Sequence, residues 1–176
     1  DAMRYAGRFT GDWSKELAQT ITSSEEITWR NRNPKDGTSK DIKSEEYDLV
    51  RSGADADLIL TNLEYDLLPV FQRMTDALSL VSVDKKELQT RVHIQQPGQV
   101  WNLHIDKLEK FNKADPHSVY RFMIMLNDWE PGHFIQYGNF VHTGYRAGEI
   151  YSFDWYNVPH CTANAGLGPR CTLLVT

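Results

Sequence analysis

Between residues 90 and 176 the chain is cut into short β-prone runs by Gly, Pro, Asn and Asp, and this punctuation restricts it to a mainly β fold. Eight such runs can be marked, at 90–94, 100–106, 118–126, 133–137, 140–143, 149–154, 159–163 and 170–175. Pro97-Gly98, Pro131-Gly132, Ala147-Gly148 and the stretch 166–169 supply corners between them. Strands this short cannot bury an apolar face alone, so they are expected to pair antiparallel in a sandwich or a barrel closed on itself.

Before residue 90 the texture is helical. Leu67, Leu68, Phe71, Met74, Leu78 and Leu80 recur at mostly three- and four-residue steps, which predicts a helix over about 68–80 with one apolar stripe. Pro69 falls in its first turn, where proline is tolerated. Trp13 to Ile21 reads as a shorter helix starting near Gly11 or Asp12. The polar segment 23–43, centred on Asn33-Pro34-Lys35-Asp36-Gly37, reads as a loop or irregular hairpin. A chain of 176 residues suits a single domain. The expected class is mainly β with N-terminal helices (α+β), residues 1–89 forming a helical lid with supporting strands and 90–176 the β core.

The net charge of −5 argues against a phosphate backbone as partner, because such binders carry a basic excess. No stretch reaches the roughly 20 apolar residues that cross a bilayer, and no charged-then-apolar leader opens the chain. Two cysteines, Cys161 and Cys171, are too few for a disulfide scaffold and fit no zinc spacing. They read as free thiols, and the expected compartment is the cytoplasm.

Six histidines occur, and only His104 has an aspartate two residues later. In a strand, residues i and i+2 point to one face, so His104 and Asp106 can reach one ion. Alone the pair is weak evidence, arising by chance in roughly a third of chains this size. Its setting is more informative. His160 stands ten residues before Arg170, and Arg170 and Thr172 share a face of the last strand. Two imidazoles and a carboxylate on one side of an ion leave three positions open, the arrangement that suits non-haem Fe(II) and O2. Such a site needs an anchor for its co-substrate. Arg170 offers a planar fork for a carboxylate, and Thr172 one further hydrogen bond.

As a set, His104-x-Asp106, His160 and Arg170-x-Thr172 ten residues on resemble the Fe(II)/2-oxoglutarate-dependent oxygenases, over about the C-terminal half of the chain. The resemblance implies a double-stranded β-helix (a jelly roll, cupin-like barrel) with His104, Asp106 and His160 as iron ligands. It implies Arg170 on the distal carboxylate of 2-oxoglutarate with Thr172 assisting, the 2-oxo acid end chelating the iron, and one position left for O2. The implied reaction is decarboxylation of 2-oxoglutarate to succinate and CO2, coupled to hydroxylation of a small-molecule, peptide or protein substrate.

Several further residues carry two readings each. Asn102, two before His104, either faces the same cavity and binds the co-substrate or is a structural amide. Arg121 interrupts an apolar strand and meets a carboxylate of substrate or co-substrate, or a structural ion pair. Gln136 and Trp155 are candidate substrate contacts, with packing as the alternative, and Tyr156 shares that reading. Asn164 is a candidate support for the loop after His160. His133 and His142 lack a carboxylate at the right step and read as satisfied or exposed histidines. Cys161 and Cys171 are each one step out of phase with an inward residue and should point away from the iron. The competing functions are a cupin-like metal protein of another reaction type and an inactive binding module that does not use 2-oxoglutarate.

Overall fold

The computed structural model describes residues 2–25, 57–61, 68–78, 88–106 and 115–176. Ten strands and two helices follow in the order β1 (Met3–Arg8), α1 (Ser14–Glu25), β2 (Asp57–Thr61), α2 (Pro69–Leu78), β3 (Thr90–Gln95), β4 (Val100–His104), β5 (Phe122–Met125), β6 (His133–Tyr137), β7 (Phe140–Val141), β8 (Glu149–Phe153), β9 (His160–Asn164) and β10 (Arg170–Val175). All eight expected runs form strands, several of them shorter than marked. Strands β1 and β2 lie within residues 1–89, where supporting strands were expected without marked positions. Residues 23–25 end α1 rather than starting a loop, and the rest of the 23–43 segment lies outside the described residues, as do Leu67 and Leu80.

The strands form two antiparallel sheets, β1-β8-β5-β10-β3-β2 and β4-β9-β6-β7. Strand β10 sits at the centre of the larger sheet, and all six of its residues are buried. Period-two alternation divides them between two cores. Cys171, Leu173 and Val175 pack with Val92, Ile94 and Ile124 against Trp13, Leu17, Phe71 and Met74 on the helical side. Leu174 joins Met123, Met125, Ile135, Tyr137 and Phe153 between the two sheets.

The helices therefore cover the outer face of the larger sheet, leaving its inner face for the smaller one. Asp12 starts α1 by accepting the Ser14 amide at 2.9 Å. The Trp13 indole donates to the Leu126 carbonyl at 2.7 Å, fixing the helix on the sheet. Among the corners, Gly132 and Gly148 are required as glycine. Both have positive φ, 97° and 90°, and an added Cβ would lie 2.4 Å from Gly166 N and 2.0 Å from Phe9 O. Among the described residues, no helix is long and apolar enough to cross a membrane.

Candidate metal centre

Pairing of β4 with β9 places His104 directly opposite His160, bringing together two stretches of chain 56 residues apart. Their rings meet edge to face at 4.4 Å between centroids. Asp106 follows the end of β4, where its amide donates to the Trp155 carbonyl at 3.2 Å. Its Oδ1 lies 3.3 Å from His104 Nε2 and 3.1 Å from His160 Nε2. One ligand atom from each of the three residues falls within 4.8 Å of the others.

The proton positions around this group favour a cation. His160 Nδ1 lies 2.9 Å from the Val158 carbonyl, which can only accept, so the ring proton is on Nδ1. In the neutral ring, His160 Nε2 then carries a lone pair. The Trp101 indole, which can only donate, reaches His104 Nε2 at 3.1 Å, so that nitrogen carries a lone pair too. Both nitrogens lie within 3.3 Å of one Asp106 oxygen, and a shared divalent ion can take the place of a proton bridging them. The donor set, two imidazole nitrogens and one carboxylate, fits such an ion.

Burial opposes ionisation of Asp106. The His104 and His160 imidazoles and the Arg121 guanidinium outweigh it and hold the carboxyl well below the usual range. Arg121 Nη1 is bonded to Asp106 Oδ2, and its Nε donates to Thr176 Oγ1 at 2.9 Å. Of the two readings of Arg121, the structure therefore gives an ion pair, with the arginine also lining the cavity. Tyr137 stacks on the His160 ring at 4.5 Å and 17°. Burial first, then the charge of Asp106, pushes the Tyr137 hydroxyl above its ordinary range and keeps it neutral.

The triad opens on a cavity of about 100 Å³ between the two sheets. Arg170, Thr172 and Leu174 line it from β10, in the phase expected for Arg170 and Thr172. Arg170 is 3% exposed, and its Nε donates to Gln95 Oε1 at 2.8 Å. Gln95 in turn donates to Thr162 Oγ1 at 3.0 Å, so a strand-to-strand bridge orients the guanidinium at the cavity wall. Arg91 and His93 of β3 and Trp101 of β4 also line the cavity, none of them singled out from sequence. His93 is held well below its ordinary pKa by burial first and then by Arg91, Arg121 and Arg170.

Other candidates fall elsewhere. Gln136 alternates with the inward Ile135 and Tyr137, and its amide donates to the Gly138 carbonyl at 2.8 Å, off the cavity. Trp155 is packed between the sheets, its indole donating to the Val119 carbonyl at 3.0 Å; it supports Asp106 through its backbone instead of walling the cavity. Tyr156 is 45% exposed. The Asn102 side chain lies outside the described residues. The reasoning that aimed it at the cavity assumed strict alternation, and a register shift between Trp101 and His104 breaks that alternation. Asn164 bonds the Gln95 and Gly168 carbonyls at 2.9 Å each, joining two corners next to β9. His133 and His142 are both buried, neither exposed nor fully satisfied: among the described residues His133 Nδ1 and His142 Nε2 have no hydrogen-bond partner. Both cysteines are free, and Cys171 lies on the helical side of the sheet.

Two facing antiparallel sheets with a polar cavity between them have a counterpart among solved structures. A Pseudomonas putida prolyl-4-hydroxylase is similar over 99% of this chain and 90% of its own, with 14% identity and a TM-score of 0.58. The fold is a double-stranded β-helix. At that identity the likeness speaks for the fold alone. A cupin-2 domain protein from Shewanella frigidimarina is similar to this double-stranded β-helix over 58% of the chain and 90% of its own, with 14% identity and a TM-score of 0.36. A conserved Streptococcus pyogenes protein of unknown function is similar over 53% and 66%, with 15% identity and a TM-score of 0.36. No family model and no curated protein matches the sequence.

Proposed function

We propose that the protein is a non-haem Fe(II) oxygenase that couples oxidative decarboxylation of 2-oxoglutarate to hydroxylation of an organic substrate. One observation carries the reading. Three ligand atoms with lone pairs converge at the wall of a cavity that also holds a buried, oriented guanidinium. A buried arginine is costly without an anion, and a site that binds a dicarboxylate supplies one. The iron, when bound, would supply O2 activation, which side chains cannot perform.

The chain's own residues have distinct tasks in this reading. His104, Asp106 and His160 hold the ion on one side. Arg121 keeps Asp106 ionised and oriented, and Val158 fixes the tautomer of His160. Arg170 and Thr172 bind the distal carboxylate of the co-substrate, and Tyr137, Phe153 and Met123 shield the site from bulk water. Anaerobic Fe(II) with 2-oxoglutarate should give a weak visible charge-transfer band, and admitted O2 should yield succinate. Arg170→Ala should remove the band at moderate 2-oxoglutarate, and His104→Ala at any concentration. A wild-type protein with neither band nor succinate would leave a cupin-like metal protein or an inactive binding module.

A further inference from the structure

Asp106 and His160 come from distant parts of the chain, yet one short turn holds both. Strand β8 ends at Phe153, and residues 154–158 carry the chain round to His160 at the start of β9. From this segment the Trp155 carbonyl accepts the Asp106 amide at 3.2 Å, and the Val158 carbonyl accepts the His160 Nδ1 proton at 2.9 Å. The Trp155 indole adds a third tie, donating at 3.0 Å to the carbonyl of Val119, close in sequence to the Arg121 that pairs with Asp106. The placing of two ligands therefore depends on the path of this one segment.

A side chain sets that path. Asp154 Oδ1 accepts the backbone amides of Tyr156 at 3.2 Å and Asn157 at 3.0 Å, and Asp154 Oδ2 accepts the Asn157 side-chain amide at 3.2 Å. An aspartate bonded to amides shortly after it builds the turn from its own carboxylate, which alanine cannot do. The Asp154 amide donates to the Ala2 carbonyl at 3.0 Å, so the turn starts from a fixed point. Among the described residues, His104, Asp106 and His160 form the group that can share an ion, and Asp154 neither belongs to it nor lines the cavity. We propose that Asp154 is a positioning residue for the metal centre, shaping the turn whose two carbonyls hold Asp106 and His160 where they can share an ion. This role rests on His104, Asp106 and His160 being the ligands, as the oxygenase reading has them. A carbonyl on the far nitrogen of a ligating imidazole fixes its tautomer and orientation, and loss of such a partner weakens metal binding about 10- to 100-fold.

Zn(II) affinity, measured by competition with a chelating dye, separates shape from charge at this position. Asp154→Asn removes the charge but keeps an acceptor oxygen in the same place, and should bind zinc within about threefold of wild type. Asp154→Glu keeps the charge but moves the acceptor out by a methylene, and should bind about tenfold more weakly, as should Asp154→Ala. In metal-free protein, ring nitrogen NMR should show the His160 proton on Nδ1 in wild type and Asp154→Asn, and a mixture of tautomers in Asp154→Glu. Gly144→Ala, strained at φ +67° in a bend between β7 and β8, controls for general destabilisation and should leave zinc affinity within about threefold. Any order in which Asp154→Asn binds no better than Asp154→Glu overturns the proposal. Equal affinity throughout would make the turn irrelevant to the ion, and weakening by Asp154→Asn would make charge the cause. A loss in Gly144→Ala equal to that in Asp154→Glu overturns it as well. The Asn and Glu pair decides the outcome even if Asp154→Ala fails to fold. Wild-type protein that binds no zinc removes the ligand assignment and the oxygenase reading with it, whereas unchanged affinity across the variants leaves both intact.

Discussion

Adding a divalent ion should raise the melting temperature of the metal-free protein, by an amount set by the three side chains at the cavity wall. Without an ion, His104 Nε2 and His160 Nε2 crowd one Asp106 oxygen at 3.3 and 3.1 Å. With one, they become ligands. For a site of about micromolar affinity, a hundredfold excess of free ion adds about 2.7 kcal/mol. In a chain of this length each kcal/mol is worth roughly 2–4 °C, so the midpoint should rise by about 5–11 °C. Scanning calorimetry with Mn(II), Co(II) or Zn(II) avoids the oxidation of iron, and EDTA should reverse the shift. His160→Ala should reduce it below about 2 °C relative to its own metal-free form, whereas His117→Ala, at an exposed histidine, should leave it whole. An unchanged midpoint with all three ions, or a shift that survives both His104→Ala and His160→Ala, would refute the assignment of these ligands.

Trp101→Phe removes the indole proton that occupies His104 Nε2, so metal affinity should tighten about two- to tenfold, measured by competition with a chelating dye. In metal-free protein, burial lowers the pKa of His142 from 6.5 to about 4 and that of His93 in the same direction. The unfolded chain then binds more protons than the folded one in this window, so stability should fall as pH drops from about 6.5 towards 4. His142→Phe keeps the stack on Tyr145 and deletes one titration, and should make urea midpoints fall less steeply with pH. Gly148→Ala, with a Cβ 2.0 Å from Phe9 O, should cost roughly 3 kcal/mol in urea unfolding. Gly144→Ala, at φ +67° with nothing within 4 Å, should cost only about 1 kcal/mol.

Period-two patterning made the β core legible. In β10 it separates Arg170, Thr172 and Leu174 from Cys171, Leu173 and Val175, and the structure divides them between the cavity wall and the helical core in that phase. The same rule failed at β4. Trp101 and His104 differ by three, yet both line the cavity, because one extra residue enters β4 between them opposite β9. A bulge depends on the partner strand's register and leaves no mark in the composition of its own strand. Arg91, His93 and Gln95 did carry a signal. They alternate with Val92 and Ile94, the reverse of a strand whose inner face is apolar. When helices cover the outer face, the polar set must line something internal. Reading that inversion requires knowing which face the helices take, and helix α1 makes its claim on that face from a distant part of the chain.

The arrangement of charge follows from the cost of burying ions. Arg121 and Arg170 are both more than nine-tenths buried, and each would be severely penalised if left alone. Arg121 is compensated within the protein, by Asp106. Among the described residues Arg170 receives a neutral amide oxygen, from Gln95, so an anion from outside would complete its environment. Because Arg121 already balances Asp106, a divalent ion on the triad would keep most of its charge for incoming ligands. Exchanging the neutral Gln95 for glutamate would place a permanent anion on Arg170, and a chain bearing that change should melt higher in scanning calorimetry and bind an added dicarboxylate more weakly than wild type.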